Sequence, residues 1–62
     1  MNTTERAMIK AEREILRTAK SNFKATGRKA MWHYVISLEK NWNSFNKFQR
    51  DHIITSLANM FA

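Results

Sequence analysis

The side chains best suited to chemistry stand together near the C-terminus, where Asp51, His52 and Ser56 follow one another closely. His52 and Ser56 are four residues apart, a spacing that places them on one face of a helix. A hydrolytic site needs its Asp, His and Ser to converge from separate elements around a pocket with an oxyanion-stabilising position. Neighbours on one helix of a 62-residue chain do not meet that requirement. We interpret these residues as part of a helix surface, and we expect no catalytic residues and no enzymatic activity.

Residues and motifs that could bind a metal or a cofactor are equally few. The chain has no cysteine, its only histidines are His33 and His52, and it contains neither zinc-ligand spacing nor a glycine-rich phosphate loop. His33 stands beside an aromatic residue on each side and is interpreted as boundary packing. We expect no metal, no cofactor and no small-molecule substrate.

Six basic residues in the first third of the chain recur at alternating steps of four and three residues, which aligns them along one face of an α-helix. This basic row consists of Arg6, Lys10, Arg13, Arg17, Lys20 and Lys24. Acidic residues do not interrupt it, although Glu–Lys pairs at this spacing would stabilise the helix by about 0.2–0.5 kcal/mol and like charges cost a similar amount. A polyanion would remove that cost. We predict that the basic row, extended by Arg28, binds a polyanion.

The overall charge supports this prediction. Eleven Lys and Arg against five Asp and Glu give a net charge of +6, and eight of the eleven basic residues lie within 6–29. Six cations along about 27 Å of helix match a run of nucleic-acid phosphates. Because the basic row has no Asn or Gln to read base edges, we expect backbone contacts to DNA or RNA with weak sequence preference. The predicted function is that of a nucleic-acid-binding accessory or regulatory protein.

The alternative is a protein-interaction module, such as a small inhibitor or adaptor that docks on an acidic protein. Tryptophan and arginine are enriched at the centres of protein interfaces. The partner interface would then include the aromatic and aliphatic residues that lie off the main apolar stripes, namely Trp32, Ile36, Phe45 and Phe48. Membrane-surface binding is less favoured, because the apolar face of the first helix is rich in alanine and is needed for the core.

The composition predicts helices throughout, since the chain has no proline and one glycine. Asn2 can cap the first helix, Gly27 can end it in the left-handed conformation, and either Ser44 or Asn46 can cap the last. These signals predict helices over 3–25, 28–41 and 45–61. We therefore expect a single all-α domain over 1–62, a small three-helix bundle with a long first helix.

The apolar residues predict which faces pack. They are Met8, Ala11, Ile15, Leu16, Ala19 and Phe23 in the first helix; Met31, Tyr34, Val35, Leu38 and Trp42 in the second; and Ile53, Ile54, Leu57, Met60 and Phe61 in the third. With Trp32 and Ile36 the second helix is apolar on two sides, which is typical of a central helix. Its second neighbour would be either the third helix or another copy of the chain, so homodimerisation would complete the bundle in the latter case. No apolar run approaches the roughly 20 residues of a membrane span, and we expect a cytoplasmic protein.

Overall fold

The computed structural model describes residues 2–61, so Met1 and Ala62 of the predicted 1–62 domain lie outside the described residues. In chain order its elements are α1 (Thr3–Ala25), α2 (Lys29–Lys40), a 3₁₀ turn (Trp42–Ser44) and α3 (Lys47–Met60). No strand occurs within residues 2–61. The prediction of a small all-α, three-helix fold with a long first helix is confirmed.

Two asparagines start helices by bonding to the backbone, as their positions predicted. Asn2 Oδ1 accepts a hydrogen bond from the Glu5 amide at 2.8 Å. At the start of α3, Asn46 Oδ1 accepts from the Gln49 amide at 2.9 Å, and Gln49 Oε1 accepts from the Asn46 amide at 2.8 Å. Asn46, not Ser44, is therefore the cap of α3, and the helix begins two residues later than the predicted 45.

Gly27 ends α1 and turns the chain back toward α2. Its φ of 73° is the left-handed conformation that the sequence predicted. The Arg28 amide donates to the Phe23 carbonyl at 2.8 Å, and the Gly27 amide donates to the Lys24 carbonyl at 3.2 Å. These are the two bonds of a Schellman motif, and they satisfy carbonyls that a helix end would otherwise leave unpaired.

Helix α1 is rotated about its axis relative to the predicted orientation. Its buried residues are Ile9, Glu12, Leu16, Ala19 and Phe23. The predicted apolar face omitted Ile9 and Glu12 and included Ile15, which is 43% exposed. The prediction was wrong at Glu12 because this carboxylate has buried partners elsewhere in the chain, which draw that side of α1 into the core.

Those partners are Trp42 and Arg50, and they form the polar centre of the core. Arg50 Nε donates to Glu12 Oε1 at 2.9 Å, and Trp42 Nε1 donates to the same oxygen at 3.3 Å. Arg50 Nη1 also donates to the Phe45 carbonyl at 2.8 Å. Around this cluster pack the buried apolar residues, which are Ile9, Leu16, Ala19, Phe23, Val35, Leu38, Trp42 and Leu57. The ion pair between Glu12 and Arg50 thus joins α1 directly to α3, and Trp42 of the 3₁₀ turn bonds the same carboxylate oxygen.

Helix α2 buries a narrower stripe than predicted. Val35, Leu38 and Trp42 are buried, but Tyr34, assigned to the same stripe, is 47% exposed. Helix α1, not α2, makes the larger contacts on two sides, packing most extensively against α2 and also against α3. Its greater length allows both contacts. Within residues 2–61, no helix has the length and apolar character needed to cross a membrane.

Candidate polyanion-binding surface

The basic row lies along the flank of α1 that adjoins α2, so its members differ in exposure. Arg13 and Lys20 are half-buried, whereas the others are exposed. Arg13 Nη1 donates to the Glu39 carbonyl at 3.2 Å, and its Nη2 donates to Asn43 Oδ1 at 3.2 Å. Lys20 Nζ lies 2.8 Å from Glu39 Oε1. These two cations tie α1 to the C-terminal end of α2, where unpaired carbonyls attract positive charge.

Arg17 is also paired, since its Nη1 lies 2.9 Å from Glu14 Oε1 on the exposed surface of α1. Two acidic residues therefore compensate part of the row, since Glu39 pairs with Lys20 and Glu14 pairs with Arg17. Glu14 does not interrupt the row, but it stands three residues before Arg17 and reaches it from the neighbouring side of the helix. Such an exposed pair is weak, and a phosphate can compete with it.

The cations outside ion pairs fall in one half of the molecule. Within residues 2–61, four basic residues are ion-paired, and these are Arg17, Lys20, Lys47 and Arg50. The remaining basic residues are Arg6, Lys10, Arg13, Lys24, Arg28, Lys29 and Lys40. All of these lie on α1, on α2 or in the turn between them, whereas both basic residues of α3 are paired. The positive field is therefore concentrated on the α1–α2 side.

A second cluster of basic residues surrounds Trp32 at the turn between α1 and α2. Lys24 Nζ lies 5.5 Å from the centroid of the Trp32 ring, and the ring of His33 lies 4.8 Å from it. A pocket of about 320 Å³ opens here, lined by Phe23, Lys24, Gly27, Lys29 and Trp32. Sequence reasoning assigned Lys24 and Arg28 to the polyanion surface but missed Lys29 and the pocket. The signal for Lys29 was present, because Arg28 and Lys29 directly follow the glycine turn and precede Trp32 by a few residues.

The four residues predicted as a partner interface lie in different environments. Trp32 and Ile36 are half-buried and stand one turn apart on α2. Phe45 is half-buried, with its ring 5.9 Å from that of Trp42 in an edge-to-face arrangement. Phe48, on α3, is 85% exposed. Of these four residues, Trp32 contacts a member of the basic row, Lys24, and Phe45 packs against the core.

The residues considered first for catalysis all lie on α3. Asp51 is exposed and 3.7 Å from Lys47 Nζ, His52 is exposed, and Ser56 is half-buried. Across residues 2–61, no group of three or more His, Cys, Asp or Glu side chains is placed to hold a metal ion.

A second cavity, of about 410 Å³, opens between α1 and α3 on the side of α1 away from the basic row. Its lining is mostly apolar and contains no basic residue: Glu14, Ile15, Thr18, Ala19, Asn22, Leu57, Ala58 and Phe61. A polyanion site would therefore lie on the α1–α2 face and not in this groove.

The geometry defines a small three-helix protein with a cationic α1–α2 face. Comparison with protein-family models, with curated proteins and with solved structures found no match to this chain.

Proposed function

We propose that this chain is a nucleic-acid-binding protein that grips the phosphate backbone through its α1–α2 face. The observation that carries the proposal is the distribution of charge: nine of the eleven basic residues lie on α1, on α2 and in their turn, whereas α3 carries two, of which Arg50 is buried in an ion pair with Glu12. Contacts between α1 and α2 account for Arg13 and Lys20 but not for the exposed cations of this face. A polyanion does, since neutralising each phosphate releases condensed counterions.

The basic residues of this face have two roles. Arg6, Lys10 and Arg17 are exposed along about 17 Å of α1 and present the phosphate contacts. Arg13 and Lys20 hold α2 beside α1 and so set the shape of the face. Side chains that read base edges are absent from the basic row, so the expected binding has weak sequence preference.

The test is salt-dependent binding to duplex DNA and RNA, followed by the anisotropy of a labelled strand. The logarithm of the affinity should fall with the logarithm of the salt concentration by about 0.9 for each phosphate neutralised on duplex DNA, giving a total slope of about 3 or more. Undetectable binding at low salt would refute the proposal.

A charge-matched pair of variants locates the surface. Lys10→Glu and Lys47→Glu each change the net charge by the same amount, but Lys10 is on the proposed face and Lys47 is on α3. Lys10→Glu should weaken binding strongly and reduce the salt slope, while Lys47→Glu should have little effect. Equal losses would mean that only the total charge matters. Exposed positions are preferred to Arg13, because replacing Arg13 would also disturb the α1–α2 contact.

The alternative of docking on an acidic protein draws support from Phe48, which is 85% exposed. Affinity capture with and without nuclease separates the two proposals. Nucleic-acid binding predicts that nuclease removes the captured partners. The adaptor predicts one protein partner that survives nuclease and is lost in Phe48→Ala.

A further inference from the structure

We propose that the pocket at the α1–α2 turn holds one unpaired nucleobase, stacked on the Trp32 indole, so that the protein prefers single-stranded or looped nucleic acid over a plain duplex. This inference rests on the proposed function and adds the strand type that the surface recognises.

The turn gives the pocket its form. The Schellman motif at Gly27 reverses the chain, which places Lys24, on the last turn of α1, and Lys29, on the first turn of α2, around one opening. Gly27 has no side chain, and nothing lies within 4 Å of the position where a Cβ would stand. Phe23 lies at the base of the pocket but is fully buried, so the accessible walls belong to Lys24, Gly27, Lys29 and Trp32. A flat aromatic ligand can thus enter between two lysines.

Trp32 supplies the stacking platform. The chain has two tryptophans, and they differ in what they do: Trp42 is fully buried and bonds Glu12, whereas Trp32 is half-buried at the pocket wall. An aromatic ring flanked by cations is the combination that proteins use to bind single strands, where bases stack on the ring and cations follow the backbone. The volume, about 320 Å³, is at the lower end of the range for small-ligand pockets, which suits a single base.

Lys24 covers the face of the Trp32 ring on which the base would stack, so the base must displace it. Its ammonium lies 5.5 Å from the Trp32 centroid, so the cation occupies the ring face when no ligand is bound. A cation–π contact of a lysine with an aromatic ring is weaker than the stacking of a base on that ring. When a base takes that face, the long Lys24 side chain can swing to the adjoining phosphate, where its charge is again compensated. Lys29, on the other side of the opening, is the cation nearest to the next phosphate, and Arg28, whose guanidinium carbon lies 5.9 Å from the Phe23 ring centroid, adjoins it in the turn.

The decisive comparison uses two strands of about ten nucleotides with equal charge, a thymidine oligomer and its fully abasic analogue. Both present the same phosphates, but only the first has bases. If a base stacks on Trp32, the thymidine strand should bind about 5- to 150-fold more tightly, which is the range of one stacking interaction. It should also quench the tryptophan fluorescence more strongly than the abasic strand.

The variant Trp32→Ala should reduce the affinity for the thymidine strand by the same factor and leave the affinity for the abasic strand unchanged. Phe48→Ala, which removes an aromatic ring from α3, is the matched control and should change neither. Trp32→Phe keeps a smaller ring and should retain part of the preference. Should Trp32→Ala lose its helical circular dichroism, the wild-type comparison of the two strands and their quenching decides the matter.

The outcomes separate the two proposals. Binding of duplex and of both strands with equal affinity, unaffected by Trp32→Ala, would refute base stacking and leave the phosphate-binding surface intact. Absence of binding to every nucleic acid would refute the proposed function, and the stacking site with it.

Discussion

Replacing Glu12 by alanine is expected to remove a large part of the protein's free energy of unfolding at 25 °C. Glu12 is 8% exposed and accepts hydrogen bonds from Arg50 and Trp42 through one carboxylate oxygen. The alanine removes that oxygen but leaves a guanidinium and an indole N–H in the core. Glu12→Ala should therefore lower the free energy of unfolding by far more than the loss of a typical surface ion pair would.

The expected loss in free energy of unfolding follows from the polar groups that stay buried without their acceptor. Breaking a buried ion pair by removing one partner costs about 3–5 kcal/mol, because the other charge stays buried without compensation. That range includes most of the penalty for the Trp42 N–H, which would add about 1–3 kcal/mol if left alone. At about 0.05–0.15 kcal/mol per residue, a chain of 62 residues has a free energy of unfolding of roughly 3–9 kcal/mol. The loss is thus a large share of the free energy of unfolding, and all of it at the lower end of that range.

The assay is urea denaturation followed by far-UV circular dichroism and by tryptophan fluorescence, to which the buried Trp42 and the half-buried Trp32 both contribute. Glu14→Ala is the matched control, since it makes the same substitution two residues further along α1. Glu14 is exposed and its pair with Arg17 is screened by solvent, so that variant should lose no more than about 0.5 kcal/mol.

Two further variants test the mechanism. Glu12→Gln keeps an acceptor oxygen and should be less destabilising than Glu12→Ala. In the double variant Glu12→Ala/Arg50→Ala the buried charge is gone, so its loss should be smaller than the sum of the two single losses. A difference of less than about 1 kcal/mol between Glu12→Ala and Glu14→Ala would refute the reasoning, since it would mean that Arg50 finds another partner or reaches water.

Two local predictions follow from the helix ends. Gly27→Ala should cost roughly 1–2 kcal/mol in urea denaturation, because φ is 73° and no neighbouring atom obstructs the new methyl group, so backbone strain is the whole effect. Gly27→Asn should cost less, and an equal loss in both variants would contradict that account. Asn46→Ala should cost about 1 kcal/mol and speed amide hydrogen exchange at Gln49, whose amide loses its acceptor. Unchanged exchange at that amide would show that the cap contributes nothing.

Local signals in the sequence predicted the helix ends. Asn2, Gly27 and Asn46 act on backbone groups within five residues, so their effect can be read without knowing the fold. The number and order of helices follow from such signals together with the absence of proline.

The rotation of each helix could not be read in the same way. Which side of α1 is buried depends on Arg50, which is 38 residues away, and no local pattern identifies that partner. The period of the apolar residues therefore predicted Ile15 as a core residue and left Glu12 outside the apolar face. Once Glu12 is buried, Ile15 turns toward solvent.

The basic row was subject to the same limit. Its spacing predicted a shared flank, and the six residues do lie along one flank of α1. Whether each one is free to bind depends on α2, which contributes Glu39 to Lys20 and a carbonyl to Arg13. The sequence did not predict the Trp32 pocket, because the pocket is formed across the turn and its walls belong to two helices.

Burial of Glu12 also explains why the cationic face belongs to two helices. On α1 the basic row is displaced by roughly a quarter of a turn from the centre of the buried face, at 100° per residue, and does not lie opposite it. That displacement brings Arg13 and Lys20 against the end of α2 and Lys24 against Trp32. A row opposite the core would have been a strip of charge on one helix, without an aromatic wall. Because the basic row lies beside α2, the proposed binding surface exists only when the two helices are packed together. A ligand that needs both helices therefore binds the folded protein and stabilises it by mass action.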